Sequence, residues 1–258
     1  MADDVGVVIP AYRPDLDTLQ EYVRELAAVL EPATIRVELD APEGRHGDLE
    51  PLYAAGATVN VESKRRGKGA AITAGFEQLE TDRLAFVDAD GSTPVGSLSR
   101  VIDALDRVPI AIGSRRHPDA TIATHQSIVR RRFGDVFASI ARSTLGLKLY
   151  DFQCGAKALR AAAWRRIREH LYESGFAWDI EVLAVAKACG IAIAEVPITW
   201  HDDPESTVDP VRTSLDMLRA LLVVRHRTKA LDGNRLHRIA ERHATGGEPL
   251  IARVAERE

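Results

Sequence analysis

Apolar residues in this chain fall into short runs separated by longer amphipathic stretches. Val5 to Ile9, Ile35 to Leu39, Thr58 to Val61, Leu84 to Val87 and Ile110 to Ile112 are rich in β-branched or other apolar side chains and too short for helices. Each predicts a strand. Between them, Asp15 or Asp17 caps a helix running to about Leu30, Gly67 opens another to about Leu79, and Pro94 begins a third to about Leu105. Strands alternating with helices specify βαβ units, hence an α/β fold with a Rossmann-like, mostly parallel central sheet flanked by helices. In such sheets ligands gather off the carboxyl ends of the strands, so the segments after Ile9, Leu39, Val61 and Val87 should converge on one crevice.

Beyond residue 110 the rhythm lengthens. A long helix is expected from about Ser127 to Leu145, a strand over Ala156 to Leu159, and helices over Ala161 to Leu171 and Asp179 to Cys189, the last stopped by Gly190. Ile191 to Ile198 alternates as a strand ending in Thr199 and Trp200. Val211 to Arg227 carries Leu215, Leu218, Leu221 and Leu222 at helical spacing, a stripe suited to a core or to a membrane surface. From Asp232 the chain turns polar and reads as a loosely held appendage. With no internal repeat or linker, residues 1–230 are expected as one domain and 231–258 as a polar tail.

Composition narrows the class. The 258 residues are 45% hydrophobic and 28% charged, which supports a packed globular core and excludes a disordered or fibrous chain. A net charge of -4 argues against a nucleic-acid binder, so any basic site must be local. Cys154 and Cys189 fit no metal or disulfide pattern, which favours a reducing compartment. The acidic N-terminus lacks the form of a signal peptide and no run approaches 18 apolar residues, so a cytoplasmic placement without a membrane span is expected.

Candidate chemistry sits at the predicted strand ends. Asp88-Ala89-Asp90 closes the run Leu84 to Val87, where paired carboxylates reach a divalent cation that also touches phosphate. The spacing alone is uninformative, since Asp15 and Asp17 share it; position at a buried strand end favours function over a turn and helix cap. Gly67-Lys68-Gly69 opens a helix beside Lys64, Arg65 and Arg66, so backbone N–H groups and cations meet an anion there. It matches neither the Walker pattern nor the dinucleotide fingerprint, whose third glycine position holds Ile72. Arg115 follows a strand and suits bidentate phosphate contact, whereas Arg130-Arg131-Arg132 point around a helix and read in part as a solvated face. Asp179 is either a helix N-cap or a functional acid. No zinc motif or nucleophile elbow is present.

Taken in order, Val7-Val8-Ile9-Pro10-Ala11-Tyr12, Arg66-Gly67-Lys68-Gly69-Ala70-Ala71, Phe86-Val87-Asp88-Ala89-Asp90-Gly91, Ile112-Gly113-Ser114-Arg115, Asp151-Phe152-Gln153-Cys154-Gly155 and Glu195-Val196-Pro197-Ile198-Thr199-Trp200 resemble family 2 glycosyltransferases of the GT-A fold. Within that family they are similar to the dolichyl-phosphate mannose and dolichyl-phosphate glucose synthases, over roughly residues 5 to 228. The resemblance implies inverting transfer of a hexose from a nucleotide-sugar donor to a polyprenyl (dolichyl) phosphate acceptor, with Mg²⁺ or Mn²⁺. It implies nucleotide contacts from Pro10, Ala11, Tyr12, Asp40, Lys68, Gly69, Asp88 and Ala89, and metal ligands Asp88 and Asp90. Arg115 and Arg131 are implied to grip the acceptor phosphate, with Asp179 nearest the family's acidic motif for acceptor activation.

Three departures bear on donor recognition. Arg13-Pro14 replaces the usual Asn-Glu, Leu39-Asp40-Ala41-Pro42 keeps one acid of two, and Ser92 stands where some relatives carry a glutamine ligand. The Asp-Phe-Gln-Cys-Gly motif looks closer to the glucose-type synthases, which leans toward a UDP-sugar. A lipid acceptor implies peripheral contact with the inner face of a membrane through the Leu215 to Arg227 helix. The competing readings are a GT-A enzyme with a non-lipid glycan acceptor and a catalytically silent nucleotide-sugar binder. The motifs leave the oligomeric state open.

Overall fold

A computed structural model of the chain describes residues 4–40, 49–122, 128–201, 210–231 and 247–255. The first strand, β1 (Val5–Tyr12), feeds α1 (Leu16–Leu30), whose N-cap Asp15 accepts the Thr18 N–H at 2.8 Å and whose Leu19, Tyr22, Val23 and Leu26 form its buried stripe. Then follow β2 (Thr34–Asp40), the short α2 (Glu50–Ala54), β3 (Ala57–Glu62), α3 (Lys68–Glu77), β4 (Arg83–Val87) and α4 (Val95–Asp103), which a 3-10 turn extends to Asp106. The second half comprises β5 (Ile110–Ser114), β6 (Thr121–Ile122), α5 (Ile128–Leu145), β7 (Ala156–Arg160), α6 (Ala161–Ile167), α7 (Trp178–Ala188), β8 (Ile193–Pro197), β9 (Thr199–Trp200), α8 (Pro210–Leu231) and α9 (Leu250–Ala255).

Seven strands form one sheet in the order β3-β2-β1-β4-β7-β5-β8, all parallel except β7, which runs antiparallel to both its neighbours. Both faces are covered, which explains the unbroken apolar runs. Val7, Ile9, Ala85 and Val87 pack with α1 and α4 on one face; Val8, Phe86 and Ile112 pack with α3, α5, α7 and α8 on the other. There the Phe76 and Trp164 rings meet edge-on at 5.1 Å and Phe86 and Trp178 at 5.5 Å.

Four features differ from expectation. Pro197 ends β8, and Thr199–Trp200 crosses to a second two-stranded sheet with β6 instead of continuing one strand. On α8 the buried stripe is Met217, Leu221 and Val224, spaced four and three residues apart; Leu222 is 63% exposed and the Leu215 side chain lies outside the described residues. The sequence pattern also passed over α2, β6 and α9, each too short for a period to register. Finally, the segment expected as a loose appendage returns to the body at α9, where Leu250 is 1% exposed in the core and its N–H bonds the Leu171 carbonyl at 2.8 Å.

Candidate active site

The reversal of β7 assembles the site. Because it runs against β4 and β5, its entrance, Asp151 to Gly155, lies at their carboxyl ends, beside Asp88 and Arg115. The Asp88 N–H donates to the Gly155 carbonyl at 2.9 Å. A Cβ on Gly155 would stand 1.8 Å from Asp88 Oδ2, so only glycine lets the carboxylate lie there. Asp90 is exposed and accepts the Ser92 N–H at 2.9 Å.

Lys68, at the first turn of α3, bridges two carboxylates, with Nζ 2.8 Å from Asp88 Oδ1 and 3.0 Å from Asp179 Oδ2. Asp179 is 2% exposed and gives its other oxygen to Lys157 Nζ at 2.5 Å. Neither N-cap nor open acid describes it: Ala177 holds the N-cap position, and both Asp179 oxygens face ammonium groups. Burial alone would raise its pKa, but the charges of Lys157 and Lys68 hold it below the usual carboxylate range. Asp88 moves the other way, pushed up by burial and by the charges of Asp90 and Asp179 against the pull of Lys68.

The glycines of the Gly67-Lys68-Gly69 turn answer to packing. Gly67 has φ 97°, and a Cβ there would meet the Ser174 carbonyl at 2.5 Å. One on Gly69 would meet Trp178 Cβ at 2.5 Å and the Glu173 carbonyl at 2.6 Å, so the start of α3 presses directly on the first residue of α7 and on the loop before it. Asp40, expected at the base, turns its carboxylate onto the same turn: Oδ2 accepts the Arg66 and Gly67 N–H groups at 2.6 and 3.0 Å and Oδ1 accepts Arg66 Nε at 2.7 Å. Fully buried Glu38 accepts Arg66 Nη2 at 2.8 Å, which completes the clamp. Pro10, Ala11 and Tyr12 end β1 at this edge, and the exposed Tyr12 ring carries the Arg65 guanidinium at 4.1 Å. Ala89 lies half-buried between the two aspartates.

Across β7, Arg115 is fixed on three sides. Nε and Nη2 fork onto Asp151 at 2.8 and 3.0 Å, its N–H donates to the same carboxylate at 3.2 Å, and the guanidinium lies 5.4 Å from the Trp200 ring centre. Burial works against ionisation of Asp151, yet the Arg115 guanidinium holds it well below the usual carboxylate range. Glu195 orders the turn by accepting the Tyr150 N–H at 2.8 Å and the Asp151 N–H at 2.7 Å. Arg131 falls in the first turn of α5, with its side chain outside the described residues. Sequence reasoning missed Lys157 and Glu38 and gave Glu195, which opens a quoted motif, no role; a lysine inside the apolar run of β7 was the signal for Lys157.

The donor set fits a hard divalent cation. Asp88 and Asp90 would offer oxygens, and buried Ser92, one residue past Gly91, has an Oγ with no hydrogen-bond partner among the described residues. Among the described residues no cluster of three acidic, histidine or cysteine ligands forms, so other positions around a cation would fall to substrate or water.

A mostly parallel sheet with an acidic pair at the end of β4 and one antiparallel strand beside it is the GT-A architecture. A solved glucosyl-3-phosphoglycerate synthase from Mycobacterium tuberculosis, in complex with Mn²⁺, UDP-glucose and phosphoglyceric acid, superposes with a TM-score of 0.66 at 18% identity, covering 87% of this chain and 80% of that one. The chain belongs to glycosyl transferase family 2, whose model matches residues 6–168. It is 30% identical to the dolichyl-phosphate beta-glucosyltransferase of Saccharomyces cerevisiae over 177 residues, 63% of this chain and 53% of that protein. It is also 30% identical to the undecaprenyl-phosphate mannosyltransferase of Micrococcus luteus over 203 residues, 76% of this chain and 83% of that one. Against the yeast and Dictyostelium discoideum glucosyltransferases the chain spans about half of their length.

Proposed function

We propose that this chain transfers a hexose from a nucleotide sugar to the phosphate of a polyprenyl carrier in one inverting displacement. The observation that carries the reading is the placement, on either side of β7, of the Asp88 and Asp90 carboxylates and of an arginine locked edge-on by Asp151. The names of the yeast and Micrococcus relatives, both transferases to lipid phosphates, support it.

Asp88 and Asp90 would hold Mg²⁺ or Mn²⁺, which supplies positive charge to the departing diphosphate. Lys68 adds a second cation on the donor side. An acceptor phosphate oxygen attacks the anomeric carbon, the bond from that carbon to the diphosphate oxygen breaks, and the nucleoside diphosphate leaves with the electron pair. The acceptor is already anionic near neutral pH, so no side chain has to remove a proton before attack. Arg115 instead orients the phosphate, and its fork on Asp151 removes the entropy of finding that pose. Arg131 would add a second grip.

No helix among the described residues is long and apolar enough to cross a membrane. Contact with the lipid surface would fall to α8, where exposed Leu222 and Val223 stand among exposed Arg219, Arg225 and Lys229. An arginine fork would hold a soluble phosphate ester equally well, so the acceptor series must include one. The test is transfer of radiolabelled hexose from UDP-glucose, UDP-galactose, UDP-N-acetylglucosamine or GDP-mannose to polyprenyl phosphate or 3-phosphoglycerate with Mn²⁺, beside Asp90→Ala. Lipid-soluble label from one donor, lost in the variant, is expected; label on 3-phosphoglycerate alone, or on neither, would overturn the lipid assignment.

A further inference from the structure

Lys157 is a charged residue where the fold has every reason to place an apolar one. It lies on the interior strand β7, opposite Phe86 on one side and Ile112 on the other, and is 0% exposed. An ammonium buried there costs free energy unless each of its hydrogens finds an acceptor. Lys157 donates to Asp179 Oδ1 at 2.5 Å and to the Cys154 carbonyl at 2.7 Å. Its Nζ lies 5.5 Å from the Phe86 ring centre, and Lys68 Nζ lies 5.3 Å from the same ring.

These contacts reach the site by two routes. Through Asp179, whose second oxygen is 3.0 Å from Lys68 Nζ, Lys157 fixes the carboxylate that anchors Lys68. Through Cys154 it ties down the turn whose next residue, Gly155, accepts the Asp88 N–H. Lys68 thereby has a second anchor, in Asp179, besides its contact with Asp88 Oδ1. A buried pair that served stability alone would be matched by apolar residues of similar volume.

We infer that Lys157 is a positioning residue for the diphosphate end of the donor, acting through Asp179 to hold Lys68 beside the acidic pair. The inference rests on the reading of the site as a nucleotide-sugar site. It makes Asp179 the link in a chain of alternating charges instead of a proton acceptor, in keeping with the occupation of both its oxygens.

Calorimetric titration of UDP and GDP, each with Mn²⁺, into the parent chain, Lys157→Met, Lys68→Ala and the double variant reads the coupling without turnover. Lys157→Met should weaken binding of whichever diphosphate the parent takes by about 10-fold, and Lys68→Ala by at least as much. The double variant should lose clearly less than the product of the two single losses. Losses that multiply, or parent-level affinity in Lys157→Met, would overturn the inference. If Lys157→Met fails to fold, the near-isosteric Asp179→Asn enters the same cycle with the same expected non-additivity. Asp179→Asn that binds diphosphate like the parent yet transfers no sugar would also overturn it, because that is the signature of a proton acceptor. A parent chain that binds neither diphosphate would sink the functional reading and this inference together, an outcome distinct from failure of the variants alone.

Discussion

Replacing Gly155 by alanine puts a methyl group 1.8 Å from Asp88 Oδ2 and 2.2 Å from its Cγ. Ordinary contact begins near 3.4 Å, so the carboxylate has to retreat by about 1.6 Å or β7 has to back away from β4. Retreat of the side chain breaks its 2.8 Å contact with Lys68, and retreat of the strand breaks the 2.9 Å bond from the Asp88 N–H to the Gly155 carbonyl. Overpacking of this kind costs about 1–3 kcal/mol. For a chain of this size that corresponds to a fall in Tm of roughly 2–12 °C. The effect on chemistry should be the larger one, because a misplacement of about 1 Å at a reacting centre costs about 10²-fold in rate. Thermal unfolding together with Mn²⁺ titration and hexose transfer checks both parts. A variant that unfolds within a degree of the parent and binds Mn²⁺·UDP or Mn²⁺·GDP equally well would show that Asp88 does not depend on the close approach of Gly155.

Other perturbations probe the parts separately. Glu181 is buried, which pushes its pKa from 4.5 up to about 7, while its Oε2 accepts the Tyr172 and Glu173 N–H groups and Arg227 lies 3.3 Å from Oε1. The folded chain therefore holds this proton where the unfolded chain has lost it: the stabilisation is complete below pH 4.5 and is lost as the pH rises to about 7. Its full size is on the order of 3 kcal/mol, so Tm should fall by several degrees from pH 5 to 8, and Glu181→Gln should flatten that fall; an unchanged slope in the variant would contradict the assignment. Asp151→Asn releases the Arg115 fork and should raise KM for the acceptor phosphate by about 10-fold while KM for the donor stays put, as steady-state kinetics with each substrate varied will read. Leu222→Glu with Val223→Glu should abolish co-sedimentation with anionic liposomes and leave transfer to a short-chain acceptor intact; undiminished sedimentation would exclude α8 as the contact.

Much of the architecture is legible in the sequence. Short apolar runs alternating with amphipathic stretches specify a doubly covered sheet, since a strand buried on both faces has no polar alternation to show. Asp15 at the head of α1, Gly67 at α3 and Pro94 at α4 mark their helix starts through local backbone chemistry alone. Asp88, Asp90 and Arg115 were locatable for the same reason: each follows a strand at its carboxyl end, and in a parallel sheet those ends share one rim.

What stayed hidden depends on contacts between residues far apart in the chain. The direction of β7 is not encoded in its composition, yet that reversal brings Asp151 and Gly155 to Arg115 and Asp88. Asp179 read equally as a helix cap or a functional acid, because a first-turn acid is common, and only packing reveals two lysines, 22 and 111 residues away in sequence, on its two oxygens. Local sequence determined where strands and helices begin, because capping and periodicity act over a few residues. Tertiary structure alone decided which charges are paired, because the cost of burying a charge, and the partner that offsets it, arise only when distant segments exclude water together.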